Sequence, residues 1–173
     1  MLSTGTYQRA LDGKLRVLVP KRLRTGLADQ PDLFLTPGTD HCLELHTTES
    51  LNALAERTRK SAAGSKNIRS FSRLFYARAE QCDIDKQGRI RIPSSLAELA
   101  DLEKEVVFIG VGQHWELWNL KLWEQYLAQH DQSFDEISNV TFDAFSDSVP
   151  TQPIPTAGWS TKHENKEVSP KPR

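Results

Sequence analysis

Apolar and polar residues alternate along short stretches of the chain, as they do in strands that bury one face. In Leu15–Val19 every second residue is apolar, and Arg16 lies on the opposite face. Gly88–Ile92 repeats this phase, with Arg89 and Arg91 on the opposite face. A proline follows each stretch, where it ends the strand and suits the first turn of a helix. We therefore predict two equivalent strands, each followed by a short helix.

The rest of the pattern predicts further short elements separated by turn sequences. The additional predicted strands are Tyr7–Leu11, Leu33–Thr36, Cys42–His46, Gln81–Ile84, Val106–Val111 and Trp115–Trp118. The predicted helices are Lys21–Gly26, Glu49–Thr58, Asn67–Tyr76, Ser94–Ala100 and Leu120–Gln129. This mixture predicts an α+β chain.

One unit occurs twice. Leu11–Pro20 aligns with Ile84–Pro93 at an offset of 73 residues, with Asp, Arg and Pro coinciding. We predict a first repeat at 1–62 and a second at 63–130. Units of this size bury too little surface to be stable alone, so we expect both copies to share one pseudo-symmetric core.

Residues 131–173 differ in composition from the repeats. They carry seven acidic and four basic side chains, and five prolines begin at Pro150. Such a segment buries too little apolar surface to offset its ordering entropy. We predict an acidic, proline-rich and largely disordered C-terminal tail.

Charge is unevenly distributed. The 173 residues have a net charge of −1, which by itself argues against a nucleic-acid binder. However, residues 1–30 hold six basic and two acidic side chains, and residues 56–80 hold seven basic and two acidic side chains. Any binding to nucleic acid is thus expected to use local basic patches.

Composition excludes other classes. No run of 18 apolar residues predicts a membrane span, and no secretory signal is visible. Two cysteines make no disulfide framework, so we expect a cytoplasmic protein.

The repeated Asp-x-x-x-Arg motif predicts a tight hairpin. In the second copy, Asp85 accepts backbone hydrogen bonds, Lys86 lies in the turn, and Gly88 takes the left-handed position. Arg89 then leaves the turn on the solvent face. A guanidinium on a rigid ribbon suits bidentate contact with phosphate or a guanine edge, although a hairpin with a solubilising arginine remains the structural alternative.

An enzyme is not indicated. The chain has no nucleophile elbow, glycine-rich phosphate loop or HExxH motif. His41, Cys42 and Cys82 match no zinc spacing, so we predict no metal, cofactor or small-molecule substrate. Glu44 and Glu116 occupy equivalent repeat positions, which favours a shared structural role.

Long stretches of the chain resemble the MraZ family, over roughly residues 1–128. The stretches are Thr4–Tyr7 with Leu11-Asp12, Phe71–Ala77, Glu80–Pro93 and Leu102–Val106. The resemblance implies a bacterial transcriptional regulator of the cell-division and cell-wall gene cluster, which binds direct repeats upstream of its own operon. It also implies two tandem AbrB-like swapped-hairpin (double-psi-like) units, a ring-shaped homo-oligomer and association with the nucleoid.

The resemblance implies that the Asp-x-x-x-Arg pairs bind double-stranded DNA. The candidate DNA-binding residues are Asp12, Lys14, Arg16, Asp85, Lys86, Arg89 and Arg91. An AbrB-fold protein-interaction or antitoxin-like module without promoter specificity is the alternative.

The first copy departs from the family pattern, because Leu15 stands where glycine is usual and Gly13 comes earlier. Leucine is costly in a left-handed conformation, whereas Asp12-Gly13 suits a primed two-residue turn. We therefore expect the first hairpin to be shorter or shifted by one residue, with a less secure role for Arg16.

Overall fold

A computed structural model describes residues 2–26, 32–61 and 66–148, in an α+β fold with antiparallel strand pairing. Within these ranges the strands are β1 (Thr6–Ala10), β2 (Arg16–Leu18), β3 (Leu33–Pro37), β4 (Leu43–Thr47), β5 (Glu80–Cys82), β6 (Arg89–Arg91), β7 (Glu105–Gly110) and β8 (Trp115–Asn119). The helices are α1 (Lys21–Gly26), α2 (Thr48–Ser61), α3 (Lys66–Tyr76), α4 (Ser94–Leu99), α5 (Leu120–His130) and α6 (Phe134–Ser148). In the described part of the chain, no helix has the length and apolar character needed to cross a membrane.

Strands from the two predicted repeats pair with each other. A six-stranded sheet has the order β1-β7-β8-β4-β3-β5, and β2 pairs with β6 in a separate two-stranded ribbon. In the sheet, β1 pairs with β7, β4 with β8 and β3 with β5, so three pairs join the first copy to the second. The halves are therefore interleaved within one compact unit, residues 1–132.

The main core draws on both copies, as the small size of each half predicts. Val17 of β2 lies opposite Ile90 of β6, and neither side chain is accessible to solvent. The surrounding buried residues include Leu23, Leu35, Leu43, Leu45, Leu96, Phe108, Trp115 and Leu117. Neither copy could enclose this cluster without the other.

The two hairpin turns have the same hydrogen bonds. In the first, Asp12 N–H donates to Arg16 O and Leu15 N–H to Asp12 O, both at 2.9 Å. In the second, Asp85 N–H donates to Arg89 O and Gly88 N–H to Asp85 O, both at 2.8 Å. The register of the first hairpin is thus the same as that of the second.

The expectation of a shorter or shifted first hairpin is therefore wrong. Leu15 has φ of 55° and Gly88 has φ of 79°, so leucine occupies the left-handed position, whereas Gly13 is not at positive φ. A left-handed leucine costs about 1–2 kcal/mol. Leu15 packs against the main core, and burial of an apolar side chain contributes energy of the same order.

The second face of the sheet has a smaller core. Cys42, Val107, Ile109 and Trp118 are buried there, and α5 covers them with Trp123 and neighbouring side chains. Trp118 is 4% exposed there, whereas Trp115, at 3% exposed, belongs to the main core on the other face.

The segment after the repeats contains more regular structure than its composition suggests. Residues 131–173 are predicted as a largely disordered tail, yet the structure has a 3₁₀ helix at Asp131–Ser133 and then α6. The prolines that motivate the prediction begin only at Pro150, beyond the helix. Residues 149–173 lie outside the described residues. The described residues from Ser133 to Ser148 belong to a separate unit.

We expect Ile90→Ala to lower the free energy of unfolding by about 2–5 kcal/mol, because it leaves a cavity between the two halves. Leu18→Ala is the control, since Leu18 lies in the same ribbon but is 41% exposed, and should cost less than about 1 kcal/mol. Urea unfolding measures both. Similar losses in the two variants would contradict a shared core beneath the ribbon.

Gly88→Ala should destabilise the fold by at least about 1–2 kcal/mol, because Gly88 is left-handed. A Cβ there would also lie 2.7 Å from Arg24 Nη1. Gly13→Ala is the matched control, since a Cβ at Gly13 meets nothing within 4 Å. Thermal unfolding should show a loss for Gly88→Ala alone, and an equal loss at Gly13 would contradict the assigned turn geometry.

Candidate nucleic-acid interface

The outer face of the β2–β6 ribbon is basic. Arg16 lies opposite Arg91, and Leu18 lies opposite Arg89. Because side chains alternate along a strand, the buried Val17–Ile90 pair forces these four outward. Three arginines therefore share one face of a ribbon whose other face is anchored in the core.

An aspartate shapes each hairpin through its Oδ1 atom. Asp12 Oδ1 accepts from Lys14 N–H at 2.9 Å and from Arg16 N–H at 3.0 Å. Asp85 Oδ1 accepts from Gln87 N–H at 2.8 Å and from Arg89 N–H at 3.0 Å. These bonds fix the backbone from which each arginine projects.

The second oxygen of each aspartate holds the arginine side chain. Arg16 Nε donates to Asp12 Oδ2 at 2.8 Å, and Arg16 Nη2 lies 2.7 Å from that oxygen. Arg89 Nε and Nη2 donate to Asp85 Oδ2 at 3.0 and 2.8 Å. Each guanidinium has five N–H donors, so the pairing orients it while leaving the Nη1 donors for a ligand.

Both aspartates are stabilised in their charged form. The Arg16 side chain, followed by its backbone N–H, lowers the pKa of Asp12 to about 2. The backbone N–H of Arg89, followed by its guanidinium, lowers the pKa of Asp85. Both carboxylates are therefore ionised at neutral pH, and the Asp12–Arg16 pair weakens only as pH falls toward 2.

The two hairpins lie side by side. Arg89 Nη1 is 3.9 Å from Asp12 Oδ2, the same oxygen that pairs with Arg16. The two guanidinium groups thus meet near one carboxylate.

Arg24 is a basic residue of this surface that the sequence did not identify as a site residue. It projects from α1, and its Nε donates to Val19 O at 3.1 Å. Its guanidinium covers Gly88, since a Cβ at position 88 would lie only 2.7 Å from Arg24 Nη1. The equivalent residue of the second copy is the buried Ala97, so comparison of the repeats gives no signal for it.

These residues form what we call the hairpin surface, defined by six basic side chains and the two aspartates. Its basic members are Lys14, Arg16, Arg24, Lys86, Arg89 and Arg91. Lys14 and Lys86 are exposed in the turns, and Arg91 is exposed on the ribbon. Such a surface can pair with phosphate oxygens, and its arginines can form bidentate contacts with guanine.

His41, Cys42 and Cys82, which the sequence brings up as conceivable metal ligands, lie in different surroundings. The side chain of His41 is 70% exposed, whereas Cys42 and Cys82 are buried and free. Burial raises the pKa of the Cys42 thiol and raises that of Cys82 to about 12. Both thiols therefore stay protonated at neutral pH, a poor state for a nucleophile or a ligand.

A family model matches residues 2–71 and 75–145, and its description is "MraZ protein, putative antitoxin-like". The two ranges include both hairpins and most of each repeat.

Curated relatives named Transcriptional regulator MraZ are similar over most of their length. The protein from Caldanaerobacter subterraneus subsp. tengcongensis is 40% identical over 134 residues, which cover 78% of this chain and 92% of the relative. The protein from Ligilactobacillus salivarius is 38% identical over 139 residues, which cover 80% of this chain and 96% of the relative. The chain belongs to the MraZ family.

Proposed function

We propose that this chain is a transcriptional regulator that binds double-stranded DNA through the hairpin surface. The observation that carries the proposal is the pair of Asp–Arg hairpins, held side by side on a ribbon anchored in the core. Fixed guanidinium groups lose little conformational entropy when they bind. The name of the curated relatives supports the same role, and the proposal assigns no catalysis.

Arg16 and Arg89 have matching roles in this proposal. Their hydrogen bonds to Asp12 and Asp85 are equivalent, so the first hairpin is as well prepared for DNA as the second. Lys14, Lys86 and Arg91 would contact phosphates, since they are exposed and no carboxylate among the described residues orients them. The arginines would supply the sequence discrimination.

The proposed target is a set of direct repeats upstream of the chain's own operon, within the bacterial cell-division and cell-wall gene cluster. This follows from the family resemblance, as does action at the nucleoid. The interleaved strand pairs and the duplicated hairpins support an AbrB-like swapped-hairpin fold. Direct repeats would suit an assembly that presents several copies of the hairpin surface at regular spacing.

We also propose a homo-oligomer, in ring form, that uses α3. This helix is strongly amphipathic, yet Phe71, Leu74 and Tyr76 are 45%, 56% and 37% exposed. A neighbouring copy that covers them would account for this apolar surface.

Arg16→Ala and Arg89→Ala should each weaken operator binding by about 5- to 150-fold, the range expected for one bidentate guanine contact. Arg59→Ala is the matched control: it removes the same charge from an exposed Arg59–Glu56 pair on α2. Gel-shift titration against operator and scrambled duplexes measures the effect.

Unchanged operator binding by the Arg16→Ala/Arg89→Ala double variant would refute the assigned surface. Equal wild-type affinity for operator and scrambled duplexes would instead favour the protein-interaction or antitoxin-like alternative.

Leu74→Glu should lower the solution mass measured by light scattering, because it places a charge in the proposed subunit contact. Asn52→Glu introduces the same charge at an exposed polar position of α2, outside the proposed contact, and should leave the mass unchanged. A wild-type mass of 19.6 kDa, that of one chain, would overturn the oligomer proposal.

A further inference from the structure

Two glutamates on the second face of the sheet lie directly opposite each other. Glu44 of β4 is the register partner of Glu116 of β8, and each side chain is 17% exposed. Like charges directly opposite across two strands destabilise a sheet. A positive charge nearby would offset this repulsion.

One oxygen of each carboxylate is already fixed by a donor. His46 Nε2 lies 2.8 Å from Glu44 Oε2, and Trp118 Nε1 donates to Glu116 Oε2 at 2.8 Å. His46 is itself buried and held by Ser50 Oγ at 2.9 Å from Nδ1. These contacts orient the carboxylates from behind and leave their Oε1 atoms for another partner.

The ring of His114 supplies a third atom at the same place. Its Nε2 is buried and, within the part of the chain that the structure describes, has no hydrogen-bond partner. It lies 4.0 Å from Glu44 Oε1 and 3.8 Å from Glu116 Oε1, too far for a hydrogen bond. The ring stacks on His46 with centroids 5.0 Å apart. A buried nitrogen thus faces two carboxylate oxygens across a gap.

We propose that Glu44, Glu116 and His114 bind a divalent first-row transition metal ion, with Zn²⁺ as the best-suited ion. Their ligand atoms lie within 4.8 Å of one another. Zinc binds histidine nitrogen and carboxylate oxygen at about 2.0–2.2 Å, which places ligand atoms about 3.4 Å apart in a tetrahedron. Small side-chain rotations close the gap, and water completes the coordination.

The chemistry of the group selects the class of ion. An imidazole ligand disfavours Ca²⁺ and Mg²⁺, which prefer oxygen alone. His46 and Trp118 correspond to the outer hydrogen bonds that orient metal ligands.

The position of the ion gives it a structural role. Glu44 belongs to the first repeat, whereas His114 and Glu116 belong to the second. Bound metal would therefore link the two interleaved halves across β4 and β8. The site is separate from the hairpin surface, so its test is independent of DNA binding.

Calorimetric titration of the full chain with Zn²⁺ tests the site. One ion per chain is expected, with an accompanying rise in melting temperature. Glu116→Gln and His114→Ala should each weaken binding at least tenfold and abolish the thermal shift. His41→Ala is the control, since it removes an exposed histidine outside the cluster and should bind as the wild type does.

Absence of stoichiometric Zn²⁺ binding by the wild type would overturn the proposal and identify His114 as a purely structural partner of the two glutamates. Unchanged affinity in His114→Ala would overturn it too. Circular dichroism checks folding of the variants, and Glu44→Gln replaces any variant that fails to fold, with the same loss expected.

Discussion

The pairing of β2 with β6 is the contact on which the rest of the structure depends. Val19 N–H donates to Gly88 O and Ile92 N–H to Leu15 O, so each strand is bonded to the turn of the other hairpin. Beneath these bonds Val17 and Ile90 are fully buried. The two copies cannot separate without breaking both, and the hairpins therefore hold a fixed position relative to the core. This rigidity lets a nearly neutral chain present a basic surface made from a few ordered side chains.

Periodicity predicted the α+β class and most of the strands and helices. The phase of Leu15–Val19 and Gly88–Ile92 gave the correct buried and outward faces, because only one face of a two-stranded ribbon can reach the core. Local signals could not show that β3 pairs with β5 or β4 with β8, since strand partners are chosen by tertiary packing. Propensity also failed at Leu15, where contact with the core offsets a backbone strain of the same order.

The candidate site was predictable where the repeat marks it. Asp12 with Arg16 and Asp85 with Arg89 stand four residues apart, and their side chains meet as the hairpin requires. Arg24 lacks a counterpart in the second copy and reaches the surface only through the orientation of α1. The cluster around His114 depends on the β4–β8 register, which brings together residues that are more than sixty positions apart in sequence.

We propose that guanidinium geometry on the hairpins, and not charge alone, reads the operator. An Arg16→Lys/Arg89→Lys variant tests this directly, because it preserves charge but removes the planar fork that makes bidentate contacts. Footprinting on the upstream region of the chain's own operon should show specific protection by the wild type. The variant should lose that protection while retaining salt-dependent, non-specific binding. Protection of the same repeats by the variant at the same concentration would show that charge alone is sufficient and that the guanidinium fork is not needed.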